Sequence, residues 1–325
     1  MKTSPLRRRH VLAALALPAA GPLRAQAPFP SRAIRVVVPW APGGLVDTGG
    51  RVVAEALSKA FGQPATAENV PGAAGTLGAD QVAKAAADGH VLLMGTSSIA
   101  IDVAGQRRMP FDPLRDLAPV ALVADTPSIV VVPVASPART LAELLAAAKA
   151  RPGELNYGTP GVGSPAHLFT ELLAQSAGLQ LTHVPYGRSP AINDLMGGRL
   201  QLMVATGPSS LPQIRGGQLR ALAVTSRQRF AALPDVPTVA EAGVPGYEAG
   251  QWLGVFAPAA TPKDTVQRIA AAVAQAVATP AVAQLLSQRG LEPHAGGPED
   301  LARALAADIR KWGQVMKAAA IRLEG

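Results

Sequence analysis

The chain has 325 residues, 48% of them hydrophobic and 16% charged, which excludes a disordered or collagen-like polymer and supplies a core for one large or two medium domains. The formal charge of +8 suits nucleic acid or an acidic membrane only until Lys2, Arg7, Arg8, Arg9 and Arg24 are set aside; those five cations stand in an acid-free stretch of 27 residues, and the rest carries +3. No later basic run interleaves with aromatics, so nucleic-acid binding is not expected.

Residues 1–27 read as a secretory signal peptide: a basic start through Arg9, an apolar stretch from Val11 to about Leu23, and Ala25-Gln-Ala27 as an A-x-A cleavage site. Pro18, Gly21 and Pro22 break that stretch and make it a poor bilayer span. Arg8-Arg9-His10-Val11-Leu12 also fits a twin-arginine signal, which leaves the Sec and twin-arginine routes both open. No later apolar run approaches the roughly 20 residues of a membrane helix, so the mature chain is expected to be soluble, outside the cytoplasm and not membrane-embedded.

Val36, Val37 and Val38 form a β-branched run without polar alternation, the pattern of a strand buried on both faces. Pro39 and Pro42 stop it, Gly43 and Gly44 follow, and a helix is expected from about Val46 to Phe61. Such a loop delivers free backbone N–H groups at a helix start, which suits one carboxylate of a small organic acid; a tight turn without a ligand fits the same residues. Gln63 to Asn69 is expected as a second strand, Ala79 to Ala87 as a helix, and His90 to Gly95 as a third strand ending at Thr96-Ser-Ser98. Three strand–helix alternations in so short a span imply a mostly parallel sheet whose ligands sit beyond the carboxyl ends of the strands.

Val120 to Val132 reads as two strand pieces interrupted by Asp125-Thr-Pro127, crossing into a second domain. Thr140-Leu-Ala-Glu143 is a capping box for a helix to about Ala150. Leu155 to His167 then repeats the opening device, with Ser164 as helix cap and Pro165 in the first turn of a helix to about Ala177. A further copy follows in Leu181 to Tyr186, Ser189 as cap, Pro190, and a helix to Met196; strands over Leu200–Ala205 and Leu219–Thr225 complete this part. Thr238-Val-Ala-Glu241 is expected to cap a short helix, Trp252 to Ala257 to return as a strand to the first domain, and helices from Thr261 to about Ala278, Pro280 to Arg289 and Pro298 to Ala320 to form a helical tail. The division is thus a discontinuous domain 1 of residues 28–125 and 250–325, with domain 2, residues 126–249, inserted. Two connections between domains suit hinge closure.

Signatures of catalysis are absent: no H-E-x-x-H, no Walker loop, no G-x-S-x-G and no cysteine. Of five histidines only His167 lies near a proposed loop, and none has ligand-like spacing, so neither metal nor cofactor is expected. Helix-start loops rich in Gly, Ser and Thr and poor in Lys and Arg favour a carboxylate held by N–H groups, hydroxyls and water. Trp40 can wall the pocket or simply pack. Asp47 can cap the helix with Arg51 as its partner, receive a ligand ammonium, or act through water.

These residues resemble the substrate-binding proteins of tripartite tricarboxylate transporters, the Bug proteins. The likeness lies in Pro39-Trp-Ala-Pro-Gly-Gly-Leu-Val-Asp47 with Arg51, Glu68 to Gly75, Asp88-Gly89, Gly158 to Ser164 with His167, His183 to Tyr186, Leu219 to Thr225, Leu233 to Gly243 and Trp252 to Pro262. The resemblance implies an α/β, two-lobed periplasmic-binding-protein-like fold of type II, a Venus flytrap with each lobe a mostly parallel sheet flanked by helices. It implies a periplasmic monomer that captures a small mono- or dicarboxylate, an amino or aromatic acid included, and hands it to integral membrane transporter subunits. Carried over, it places Trp40, Gly43, Gly44, Asp47, Ser97, Thr159, Gly163, Ser164, Ser189 and Thr206 near the ligand. Tyr186-Gly-Arg-Ser189 inverts the family's usual order and Val204-Ala-Thr206 lacks a common acidic residue, both where the ligand's far end would be read. A sensor presenting its ligand to a signalling receptor, and a secreted hydrolase or lyase using Asp47, Ser164 and His167, are the alternatives.

Overall fold

The computed structural model describes residues 29–187 and 190–323. The signal peptide expected over residues 1–27 and the cap expected at Ser189 lie outside the described residues.

The valine run forms the buried strand β1 (Ile34–Val38), paired in parallel with β2 (Ala65–Asn69) and β3 (Val91–Thr96). Helices α1 (Leu45–Phe61) and α2 (Thr76–Ala83) make the crossovers that parallel pairing requires. Gly62, in the left-handed region at φ 66°, ends α1. α1 lies so close to the sheet that a Cβ on Gly50 would fall 2.4 Å from Val38 Cγ2, which fixes glycine there. After β3, α3 (Ser98–Ala104) and the single turn α4 (Pro113–Asp116) lead to β4; neither helix is marked by sequence periodicity.

β4 (Leu117–Pro133) corrects the expectation of two interrupted pieces: it is one strand of 17 residues. Pro127 does not break it because it stands where the strand changes partners. Its register with β9 (Gly250–Pro258) ends at the pair Pro127 and Gly250, and pairing with β7 (Met203–Thr206) begins at Ser128. A proline at that junction removes no ladder hydrogen bond. β8 (Leu219–Val224) flanks the same far half of β4.

The inserted part begins at α5 (Leu141–Ala150), whose capping box between Thr140 and Glu143 is formed as expected. β5 (Asn156–Thr159), α6 (Pro165–Ala177) and β6 (Thr182–Pro185) make a second parallel strand–helix–strand unit. α7 (Ala191–Met196) precedes β7, and α8 (Gly207–Arg215), a helix absent from the sequence reading, joins β7 to β8. The helix expected at Thr238 is only a turn. Thr238 and Glu241 exchange both capping-box bonds, yet Gly243 and Pro245 stop the chain before a second turn can form.

The C-terminal part runs through β9, α9 (Lys263–Val277), α10 (Pro280–Gln288), the edge strand β10 (Glu292–Gly296) and α11 (Pro298–Ala318). β10 occupies the gap that the sequence reading left between two helices; its sequence, Glu-Pro-His-Ala-Gly, carries no strand pattern, and pairing with β4 and packing against α9, α10 and α11 hold it. The main sheet has the order β10-β4-β9-β3-β1-β2, with β7 and β8 also on β4. It is mixed rather than mostly parallel: parallel pairs occur in β2-β1-β3 and β5-β6, and every strand beside β4 runs antiparallel to it.

Cores lie on both sides of this framework. Val36, Val53, Leu57, Leu92, Ile269 and Val273 fill one, and Val37, Leu93, Phe256, Leu301 and Leu305 fill the other face of the first sheet. In the second part Val130, Tyr157, Phe169 and Leu173 pack under α5 and α6, and Ile129, Leu195 and Phe230 pack on the opposite side. α11 serves both parts: Leu301 and Leu305 near its start join the first, whereas Trp312, Val315 and Met316 near its end join the second. Trp312 stacks on Phe169 at 5.1 Å between ring centres. Among the described residues no single helix is long and apolar enough to cross a membrane.

Candidate functional site

The loop between β1 and α1 is shaped by one buried carboxylate. Asp47 accepts from Gly43 N at 2.9 Å, Arg51 Nε at 2.9 Å and Asn69 Nδ2 at 3.0 Å. Asn69 also donates to Trp40 O at 3.0 Å, so the end of β2 pins both flanks of the loop. Burial pushes the Asp47 carboxyl up, but the bonds from Arg51, Gly43 and Asn69 outweigh it and hold the group below the ordinary carboxylate range. Asp47 therefore spends its oxygens inside the protein. Gly43 supplies the φ of +86° that the turn needs. Gly44, extended, stands at the helix cap without a side-chain bond, which leaves the first N–H groups of α1 free of a capping side chain.

The corresponding loop between β5 and α6 is shaped by neutral groups. Ser164 caps α6, accepting from His167 N at 3.3 Å and donating to Gly161 O at 2.7 Å. Gly163 N donates to His167 Nδ1 at 3.1 Å, so that nitrogen carries no proton. Thr159 Oγ1 accepts from Gly161 N at 3.1 Å and meets His183 Nε2 at 2.6 Å. The His167 and His183 rings stack at 3.9 Å, with Tyr157 next in the pile, 5.0 Å from His183. Burial pushes both imidazoles down to about 4. They are thus uncharged at neutral pH and brace the loop from behind.

The two loops face each other across a cleft of about 450 Å³. Trp40, Val46 and Ala74 wall it on one side, residues 160–165 on the other, and Thr96, Ser98, Ile101, Asp102, Arg107 and Gln251 complete it. Of the residues singled out from sequence, Trp40, Gly163 and Ser164 line the cleft itself. Gly43, Gly44, Asp47 and Thr159 are not among its lining residues: the two glycines are exposed beside Val46, and Asp47 and Thr159 are buried within their loops. Ser97 is buried between the lining residues Thr96 and Ser98, and its hydroxyl has no hydrogen-bond partner among the described residues. Thr206, at the start of α8, bonds Ser209 instead and does not line the cleft. Asp102, Arg107 and Gln251 were missed because no motif marks them; only the topology brings them to the rim. Among the described residues no group of three metal-ligating side chains occurs.

Backbone donors and hydroxyls from two opposed helix starts can hold an anion between them. Two α/β lobes joined through β4 and enclosing such a cleft define a two-lobed binding protein of the periplasmic-binding class, type II. Within that class the chain belongs to the tripartite tricarboxylate transporter receptor family, whose model, described as "Tripartite tricarboxylate transporter family receptor", matches residues 50–321. A relative in Pseudomonas sp. (strain P51), a UPF0065 protein in the tcbD-tcbE intergenic region, is 41% identical over 95% of this chain and 94% of its own. The structure of Rpa4515 from R. palustris with adipate is similar at 38% identity and a TM-score of 0.78, over 90% of this chain and 99% of that one. MatC from Rhodopseudomonas palustris, solved with bound malate, is similar at 34% identity and a TM-score of 0.73, over 88% and 99%. Proteins of this family are periplasmic binding proteins, and the ligands in these two neighbours are small carboxylates.

Proposed function

We propose that this protein captures a small mono- or dicarboxylate in the cleft, closes its lobes around it, and hands it unreacted to integral membrane transporter subunits. The observation that carries this reading is the meeting of two helix starts, α1 and α6, from different parts of the fold on one cleft whose described lining residues include a single cation. The α1 start, from Gly44, takes one carboxylate through backbone N–H groups, and Ser164 with the α6 start approaches the same anion on closure. Trp40 covers the apolar body of the acid. Asp47 positions the first loop rather than touching the ligand, since its oxygens already have three donors. The lobes divide near residues 126 and 250, and the mature chain, exported after cleavage near Ala27, works as a monomer. Adipate and malate in similar structures support the ligand class.

Isothermal titration of the folded mature chain against dicarboxylates, amino acids and aromatic acids tests this. Saturable one-to-one binding of at least one acid is expected, and no heat from any of them overturns the reading. Native mass spectrometry of protein purified without added ligand is expected to show a retained small acid.

A further inference from the structure

The cleft contains one feature that the helix-start reading does not use. Asp102, in the last turn of α3, and Arg107, just beyond it, are the only charged side chains among its described lining residues. Gln106, at φ +53°, turns the chain so that Arg107 N donates to Asp102 O at 2.9 Å and the two side chains meet. Arg107 Nε lies 3.1 Å from Asp102 Oδ1, yet this buried nitrogen makes no aligned hydrogen bond. A guanidinium has five donors, and one ill-aligned oxygen leaves most of them for another acceptor. Burial, against the pull of Arg107, pushes the Asp102 carboxyl up to about 6. Trp40, Val46, Ile101 and Val162 give the cleft apolar walls, with Thr96, Ser98 and Gln251 among its polar members.

We propose that Arg107 is the specificity-determining residue of the cleft, accepting the second carboxylate of a dicarboxylate whose spacer is apolar, while Asp102 holds the guanidinium in place in the empty protein. This rests on the carboxylate-capture reading and deepens it. An acid bound by one end at the α1 start lays its other end toward the Asp102–Arg107 pair. A methyl group there strips water from the pair and returns no hydrogen bond; a carboxylate completes the fork in the bidentate geometry that suits guanidinium. A site built for a polar group rejects the analogue that lacks it more strongly than an apolar pocket rejects an extra methylene.

The test is titration of the full mature chain with straight-chain diacids of four to eight carbons, each against the monoacid of equal length, adipate against hexanoate being the central pair. The wild type is expected to prefer the best diacid about 10- to 100-fold, the range of one charged hydrogen-bonding group. Arg107→Gln is expected to bring that ratio near one, weakening the diacid and easing the penalty on the monoacid, and Arg107→Lys, which keeps charge without the fork, to restore part of it. Asp102→Asn is expected to strengthen diacid binding, because it removes the anion beside the incoming carboxylate. Melting curves establish that each variant is folded. Binding of diacids and monoacids with equal affinity, or a ratio that survives Arg107→Gln, overturns the assignment and leaves carboxylate capture standing; loss of all acid binding by the wild type removes both.

Discussion

The two loops that face each other across the cleft solve one problem with opposite chemistry. The first is fixed from within by a charge: Asp47, ionised and buried, gathers Gly43, Arg51 and Asn69. The second is fixed by uncharged groups, with His167 accepting from Gly163, Ser164 capping α6 and the stacked imidazoles of His167 and His183 behind them. Both arrangements consume the side chains nearest the glycines; the first N–H groups of α1 stay free of a capping side chain, whereas at α6 Ser164 takes the His167 N–H and Pro165 has none. Rigidity in such a site comes from what stands behind the donors, and the same backbone shape can be held by a carboxylate or by an imidazole. The two supports differ in what destroys them.

The largest effect is expected from Asp47→Ala, which removes three hydrogen bonds from charged or backbone donors and frees the first loop. A loss of about 2–4 kcal/mol, read by urea denaturation, follows from the usual worth of hydrogen bonds to charged groups, and acid binding should fail with it. Asp47→Asn keeps the shape and loses the charge; it is expected to fall between the two.

Gly163→Ala attacks the second loop by geometry. At φ +74° any Cβ is strained, and here it would collide with Leu323 Cδ2, so that side chain must move as well. A cost of roughly 1–2 kcal/mol from the left-handed backbone alone, read by thermal unfolding, should come with weakened ligand affinity, since the altered residue lines the cleft.

Acid should separate the supports by pH window. His167 and His183 have folded values pushed down to about 4 from 6.5, so the unfolded chain binds protons first. Their contribution is complete above 6.5 and is lost as pH falls toward 4. Asp47, whose folded value lies below 3.8, loses its contribution only on further acidification. Asp102 acts in the reverse sense between 3.8 and about 6, because its buried carboxyl keeps a proton that the unfolded chain releases. The clean measurement is therefore the difference in unfolding free energy between wild type and a His167→Gln/His183→Gln double variant from pH 7.5 to 4. A difference that shrinks across that window supports the neutral-imidazole support, and a flat one refutes it.

The smallest effect is expected from Ser164→Ala. It removes the cap of α6, worth about 1 kcal/mol, and leaves His167 and Thr159 to hold the loop.

Much of this was legible in residue order. Val36–Val38 announced a doubly buried strand, Thr140-Leu-Ala-Glu143 a capping box, and Ser164-Pro165 a helix start, because each of these signals is local and each is observed. β4 was not legible as one strand, since Pro127 is harmless only where the partner changes, and the partners lie far along the chain. β10 is held by pairing with β4 and by the helices packed on it, partners far from its own five residues, which carry no strand pattern. In the cleft, the glycine, serine and tryptophan wall could be named from motifs, whereas Asp102, Arg107 and Gln251 reach the rim through topology. Thr206 illustrates the converse: a loop rich in hydroxyls folded into the start of α8 and bonded itself.

The uninterrupted course of β4 from one sheet into the other bears on how the halves move. A single extended backbone, laddered on both sides of Pro127, resists stretching and sideways swing far more than a loose tether would, and yields chiefly by twisting about its own axis. In the closure proposed above, opening and shutting would resemble the wringing of a ribbon, with the jaws pre-registered at every stage and little orientational freedom left for a captured guest to remove.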